Sequence, residues 1–327
     1  MTLDPHICDL VGRYLGAGIA LGFGGVGAAV GMGMAAGQAD EGIMRQPDRQ
    51  GYLLRTMLIG QAMGGSPSIL ALVVGLLILF VPPQIEVNEI GGSLMAAMVG
   101  AGLAIGLGCF GSGVGCGWPA GHACEGVARN PRNITLITSR MIIGQGVAQS
   151  PALFATVVAL ILLFTFQRAG FDWAIVGVCL GSGLAIGAGA LGPGFGSGYT
   201  AGGAVAGIGH WPKTHGLTVR TMLVGQGVCE TPAIFGLLIA CIMLFTAVVP
   251  ADFVGFSKAL GAGISVGFGG IGPGIGSGLA SGRACETAAA RPRLESLIMR
   301  TMLIGQAVSQ STAIYALIIA LGLLYVV

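Results

Sequence analysis

The sequence predicts an all-α membrane protein, eight transmembrane helices folded as four tandem helical hairpins. Three observations carry this. The 327 residues are 54% apolar and 9% charged, whereas a soluble domain carries roughly 25% charge. Long uncharged runs separate the charges: Arg13 to Asp40, Arg55 to Glu86, Glu89 to Glu125, Arg140 to Arg168, Asp172 to Lys213, Lys258 to Arg283, and Arg300 onward. The run from Arg220 to Asp252 is broken by Glu230. About 20 apolar residues cross the bilayer core, and continuous rather than alternating runs favour helices over barrel strands. Finally, a Gly-Gln dipeptide recurs at Gly60-Gln61, Gly144-Gln145, Gly225-Gln226 and Gly305-Gln306, spaced by 84, 81 and 80 residues. A glycine-rich segment precedes each, as at Gly106-x-Gly108, Gly187-x-Gly189 and Gly267-x-Gly269. A repeat of this length decides the architecture. We read residues 1–84, 85–169, 170–251 and 252–327 as hairpins one to four.

The first helix of each hairpin is a glycine helix. Hairpin one carries Gly18, Gly22, Gly24, Gly27, Gly31, Gly33 and Gly37, and hairpin three repeats the pattern from Gly183 to Gly202. Steps of four put glycines on one face. A face without side chains lets like helices approach closely, which predicts an inner cylinder of glycine helices with bulkier helices outside. A phosphate-cradling glycine loop needs a preceding strand and does not fit glycines that run through a helix.

The loop within each hairpin follows. Hairpin one reads Asp40-Glu41-Gly42-Ile43-Met44-Arg45-Gln46-Pro47, and hairpin two Cys124-Glu125-Gly126-Val127-Ala128-Arg129-Asn130-Pro131. Hairpin four ends on Glu286, Arg291 and Pro292; hairpin three departs, with Ala206 and then His210-Trp211-Pro212. Taken alone, an acid, a base and a proline make a capped turn. Twelve of the 15 Lys and Arg flank these loops, so the positive-inside rule places them in the cytoplasm. Both termini and the links near Val81-Pro82-Pro83, Gln167-Arg168-Ala169 and Val249-Pro250-Ala251 then face outward. Asp4 and Asp9 precede the first apolar run, unlike the basic start of a secretory signal.

The second helix holds the exceptional residue. Glu230, in Gly225-Gln226-Gly227-Val228-Cys229-Glu230-Thr231-Pro232, is the only acidic residue between Asp172 and Asp252. Ionising a carboxylate inside a bilayer costs ~2.5–3.5 kcal/mol on insertion scales, which makes it a functional candidate by default. Pro67, Pro151 and Pro232 follow the same position in three copies. Such a proline removes a helical bond, either shaping the site or bending the helix to fit its neighbours.

Little else points to chemistry. The net charge is +2 without a basic cluster, so no nucleic-acid partner is expected. Cys8, Cys109, Cys116, Cys124, Cys179, Cys229, Cys241 and Cys285 form no CxxC pair and read as small buried side chains. His6, His122, His210 and His215 match no metal spacing, and no cofactor is expected.

The glycine helix, the Arg45-Gln46-Pro47 loop and Gly-Gln-x-x-x-Glu-Thr at Gly225 to Thr231 together resemble the proteolipid of rotary F-type ATP synthases and related V-type ATPases, the c-type rotor subunit. That family's hairpins form the membrane rotor ring. The resemblance extends over nearly the whole chain, four times over. It implies a non-catalytic subunit whose carboxylates take up and release protons or sodium ions while passing a stator arginine. It also implies a homo-oligomeric ring in a lipid membrane, a stator a-type subunit, and central-stalk subunits at the loops. Arg45, Gln46, Pro47, Arg129, Asn130, Pro131, Arg291 and Pro292 are then the rotor-loop contacts.

The departure is at the carboxylate. Four residues after each repeated glutamine stand Gly65, Gln149, Glu230 and Gln310, so one hairpin in four ionises. A glutamine is a neutral hydrogen-bonding counterpart of protonated glutamate. For the ion site the expectation is Glu230 with Gln226 four residues back on the same face, Thr231, Ser197 from the same hairpin and Ser277 from the next. Sodium wants several oxygen ligands, and serines stand where sodium-binding relatives often carry glutamine, so protons are favoured. One carboxylate per four hairpins implies a low ion-to-ATP ratio and a rotor suited to ATP-driven pumping. The expected setting is a bacterial or archaeal plasma membrane. The competing classes are an eight-helix secondary transporter, since parallel repeats occur there, and a structural ring with an inert Glu230.

Overall fold

The computed structural model describes residues 5–83, 91–168, 170–246 and 250–326. The boundary after residue 84, Ala169 and Val249 lie outside the described residues. Among the described residues, ten α-helical segments make eight spans: α1 (Pro5–Arg45), α2 (Gln50–Phe80), α3 (Gly92–Arg129), α4 (Ile134–Ala148), α5 (Ser150–Phe164), α6 (Trp173–His210), α7 (His215–Cys229), α8 (Thr231–Phe245), α9 (Phe253–Ala290) and α10 (Glu295–Tyr325). The predicted eight apolar helices in four hairpin-like pairs are thus what the chain forms. The two extra segments arise because α4–α5 and α7–α8 tighten for one residue, at Gln149 and Glu230. Pro151 and Pro232 stand just beyond and contribute no N–H to the ladder.

The glycine-rich helices form one layer, in which α1 packs on α3, α3 on α6 and α6 on α9. The second helices form the other layer. Each lies over the groove between its own glycine helix and that of the following hairpin: α2 over α1 and α3, α4–α5 over α3 and α6, α7–α8 over α6 and α9. In lipid the drive between helices is close packing rather than release of water from apolar surface, and the glycines supply it on two faces. One face of each middle helix meets the helix before. A Cβ added to Gly106 would stand 2.6 Å from the Ile19 carbonyl oxygen, one at Gly187 2.5 Å from that of Leu103, and one at Gly117 2.7 Å from Gly31 Cα. The opposite face meets the helix after, with Gly111 against Leu191 and Gly192 against Ile271. The two end helices each keep one such face open. Gly18, Gly22 and Gly33 on α1 have nothing within 4 Å of an added Cβ, nor has Gly272 on α9.

The ends are set locally. Asp172 caps α6 by accepting from the Ala174 N–H at 2.8 Å, and Asp252 caps α9 through the Gly255 N–H at 2.9 Å. At the loops each glycine helix closes with one N–H bonded four residues back. Gln46 donates to Gly42, Asn130 to Gly126, Trp211 to Gly207 and Arg291 to Thr287, at 3.0, 2.8, 2.8 and 2.9 Å. Pro47, Pro131, Pro212 and Pro292 then each start a single 3-10 turn. This places Arg291 at the position of Gln46 and Asn130; the counterpart of Arg45 and Arg129 is Ala290.

Candidate functional site

Glu230 is half-buried, at the tightened turn joining α7 to α8. The Ser197 hydroxyl of α6 donates to its carboxylate at 3.4 Å. The Ser150 hydroxyl, from the preceding hairpin, holds the register of Ser66, the hydroxyl partner of Gln149 at the equivalent position. Ser150 Oγ in turn donates to the Val147 carbonyl at 2.8 Å.

The sister positions show the same construction with an amide in place of the acid. Gln149 Nε2 donates to the Met63 carbonyl at 2.8 Å and lies 3.5 Å from Cys116 Sγ, while its Oε1 accepts from Ser66 Oγ at 2.7 Å. Gln310 Nε2 donates to the Val228 carbonyl at 3.0 Å and to Ser277 Oγ at 2.9 Å. Each site therefore takes one group from its own glycine helix (Cys116, Ser197 or Ser277) and the rest from the outer helix of the hairpin before. At the fourth position Gly65 supplies no side chain, and the nearest atom to an added Cβ is Met32 Sδ at 3.6 Å.

The prolines fall into this pattern. A proline leaves the carbonyl four residues earlier without its helical N–H. Pro67, Pro151 and Pro232 so release the carbonyls of Met63, Val147 and Val228. Met63 and Val228 accept from the site glutamines of the next hairpin. Val147 is the register-equivalent carbonyl before the third hairpin, and it accepts from Ser150 Oγ at 2.8 Å. Hairpin four has Thr312 where the others have proline. The alternative left open in the sequence, a bend for its own sake, does not account for these bonds.

The repeated glutamines act as clamps. Gln226 Nε2 donates to the Ser197 carbonyl of its own hairpin at 3.1 Å and to the Gly144 carbonyl of the previous one at 3.0 Å. Gln145 bridges Cys116 and Gly60 in the same way, and Gln306 bridges Ser277 and Gly225. Gln61 reaches the Met32 carbonyl at 3.1 Å. Gln226 thus spends its donors on backbone, not on the Glu230 carboxylate.

Of the expected ion-site residues, the structure brings Ser197 to Glu230 and places Gln226 one turn away as a clamp. Ser277 belongs to the Gln310 position. Among the described residues no hydrogen bond links the Thr231 hydroxyl to Glu230; Thr231 holds the register of Ser66 and Ser150, which serve the following hairpin. Sequence reasoning misses Ser150 and Val147 because it takes the next hairpin, not the previous one, as the partner. The signal is present, since Ser66, Ser150, Thr231 and Ser311 occupy one repeat position.

At the loops Arg45 pairs with Glu41 at 3.5 Å and Arg129 with Glu125 at 2.5 Å. Arg129 also meets His210 of hairpin three, and Asn130 Nδ2 donates to the Gly209 carbonyl at 2.6 Å. Glu286 instead pairs with Arg283 at 2.9 Å. Gln46, Pro47, Pro131, Arg291 and Pro292 shape the turns. Among the described residues no group of His, Cys, Asp and Glu is placed to hold a metal ion.

Comparison with known proteins follows the hairpins. The family of the ATP synthase C subunit matches residues 15–78, 99–162, 180–243 and 260–323. The K subunit of an A-type ATP synthase from Methanocaldococcus jannaschii is 34% identical over 54% of the chain and 74% of its own length. The ATP synthase c subunit of Natranaerobius thermophilus is 47% identical over 25% of the chain and 95% of its own length. The chloroplastic ATP synthase c subunit of Ostreococcus tauri is 42% identical over 26% of the chain and 100% of its own length. Each short relative corresponds to about one hairpin.

Proposed function

Because the chain belongs to the family of the ATP synthase C subunit, as a non-catalytic rotor component of a rotary ATPase membrane sector, we propose that it carries one cation per four hairpins, at Glu230. One observation supports this most strongly. Gln149 and Gln310 satisfy their neighbouring carbonyls with amide N–H groups. An ionised glutamate at the equivalent position offers two acceptor oxygens and no donor. Held in lipid, such a carboxylate needs a bound cation to be neutral. A single proton meets that need, whereas sodium requires a fuller oxygen shell, so the cargo is the proton. Glu230 holds it while facing lipid and releases it beside the arginine of a stator a-type subunit.

The open glycine faces support ring assembly. Gly18, Gly22 and Gly33 of α1 occupy the register through which α3, α6 and α9 each meet the helix before. Gly272 of α9 occupies the register through which α1, α3 and α6 meet the helix after. The two faces match in register, and a head-to-tail contact between copies closes into a ring when the rotation per copy divides the full circle. The positively flanked loops face the cytoplasm, where Arg45, Gln46, Pro47, Arg129, Asn130, Pro131, Arg291 and Pro292 meet central-stalk subunits. Both termini face the opposite side of the plasma membrane of a bacterium or archaeon.

One carboxylate per chain lowers the ion-to-ATP ratio. With roughly three to five chains per ring and one charge gaining ~2.3 kcal/mol per 100 mV, each ATP at ~150 mV would draw on only roughly 3–6 kcal/mol. That suits ATP-driven pumping into a steep gradient better than synthesis. Ion-to-ATP stoichiometry in liposomes tests this: a value below about two is expected, and about three or more overturns it.

A further inference from the structure

We propose that the cation site at Glu230 is complete within a single chain, and that the boundary between copies in the ring falls at Gly65, where the structure builds no cation site. The inference rests on the cation-carrying reading above and deepens it.

Each site position draws on the outer helix of the hairpin before it. For Glu230 that hairpin is the second of the same chain: Ser150 stands in the register of Ser66, which donates to Gln149 Oε1, and Ser150 Oγ donates to the Val147 carbonyl at 2.8 Å. Ser197 completes the set from the third hairpin at 3.4 Å. Gln149 and Gln310 likewise take their partners, Met63 with Ser66 and Val228, from within the chain. Among the described residues, the first hairpin is the one with no hairpin packed before it. Its site position is Gly65, and Met32 stands where the others have Cys116, Ser197 and Ser277.

Two further features point to the same boundary. Released carbonyls occur where the next hairpin has a polar site residue: Pro67 precedes Gln149, Pro151 precedes Glu230 and Pro232 precedes Gln310. Thr312 replaces proline in hairpin four, whose successor in a ring is the Gly65 position of the next copy. The clamps agree. Gln145, Gln226 and Gln306 each bridge to the preceding outer helix through Gly60, Gly144 and Gly225. Gln61 finds its own-hairpin carbonyl, and the register-equivalent second acceptor is Gly305, exposed on the outer helix of a second copy.

The consequence separates this chain from a rotor assembled from single hairpins, where a site fed by the preceding hairpin necessarily spans two molecules. Here cation binding precedes and does not require ring closure. The test uses the carboxyl reagent dicyclohexylcarbodiimide on whole chains, assembled and separated by a dissociating detergent, with helicity checked by circular dichroism. Gly22→Leu, which blocks the open face of α1, gives separated chains by a second route. Labelling of Glu230 across a pH series, with and without sodium, is expected to agree within about twofold between rings and separated chains. A tenfold or larger shift of the profile on separation overturns the proposal while leaving the cation-carrying reading intact. Failure of Glu230 to react in either state overturns both. Gly65→Glu supplies the second arm. In rings the neighbouring copy should cover its carboxyl and shift its labelling profile, and in separated chains it should titrate like an exposed acid; identical profiles in both states would contradict a boundary at Gly65.

Discussion

Gln149 donates its side-chain N–H to the Met63 carbonyl at 2.8 Å, across two hairpins and onto the one backbone oxygen that Pro67 leaves without a helical partner. The bond explains why a proline inside a lipid-facing helix is tolerated. Unsatisfied backbone in hydrocarbon is costly, and neighbouring groups take up what the proline frees. It also identifies the task of the side chain at this position, which is to place a donor or a cation against that carbonyl.

Pro151→Ala returns an N–H to the Val147 carbonyl and removes its availability at Glu230. Cation affinity should fall about tenfold, or ~1.4 kcal/mol, read as a shift in the protection of Glu230 from carboxyl labelling. Pro67→Ala acts on the neutral Gln149 position and should leave that profile in place. Equal shifts in both variants would mean that the prolines act through helix bending.

Gln226→Leu strips donors from two buried carbonyls, those of Gly144 and Ser197. Loss of stability of ~1–3 kcal/mol is expected for each group left unpaired. Gln61→Leu affects one acceptor within the chain and should cost less. Thermal unfolding of separated chains in detergent ranks the two, and a larger loss for Gln61→Leu would contradict the clamp.

Glycines on the same helical register should divide by hairpin. Gly187→Leu drives a side chain into the Leu103 carbonyl, 2.5 Å from an added Cβ. Overpacking of this kind costs ~1–3 kcal/mol even in an adaptable core, so the chain itself should be destabilised. Gly22→Leu meets nothing within 4 Å and should leave the chain folded but unable to form rings. Native mass spectrometry beside circular dichroism separates the outcomes; intact rings of Gly22→Leu would exclude α1 from the interface between copies.

The cargo can be tested by removing sodium. Proton transport predicts ATP-driven pumping that is unchanged in sodium-free buffer, and sensitivity of Glu230 labelling to pH rather than to sodium. Pumping that stops without sodium would assign Ser150 and Ser197 to a metal shell instead.

The helices, their pairing and the exceptional acid are legible because each leaves a one-dimensional trace: uncharged runs, an 80-residue period, and one glutamate in a run without other charges. The partners of Glu230 are not. Repeat positions show which residues are equivalent, but not whether a hairpin leans on the one before or the one after. That choice is fixed by where α7 and α8 settle relative to α4 and α5. Sequence alone therefore puts Ser277 and Thr231 beside Glu230, while the register of Ser66 and Met63 around Gln149 assigns that role to Ser150 and the Val147 carbonyl. Arg291 passes for the counterpart of Arg45 because charge stands out in sequence. The backbone bond from Arg291 to Thr287 aligns it with Gln46 instead. The prolines carry no decision until their released carbonyls have visible donor partners.

The most direct measurement is ATP-driven ion transport by the reconstituted complex carrying Glu230→Gln. The amide should satisfy the Val147 carbonyl as Gln149 satisfies that of Met63, so rings should still assemble. Transport should fall to the level of protein-free vesicles. Continued pumping by an assembled Glu230→Gln ring would contradict the assignment of Glu230 as the cation carrier.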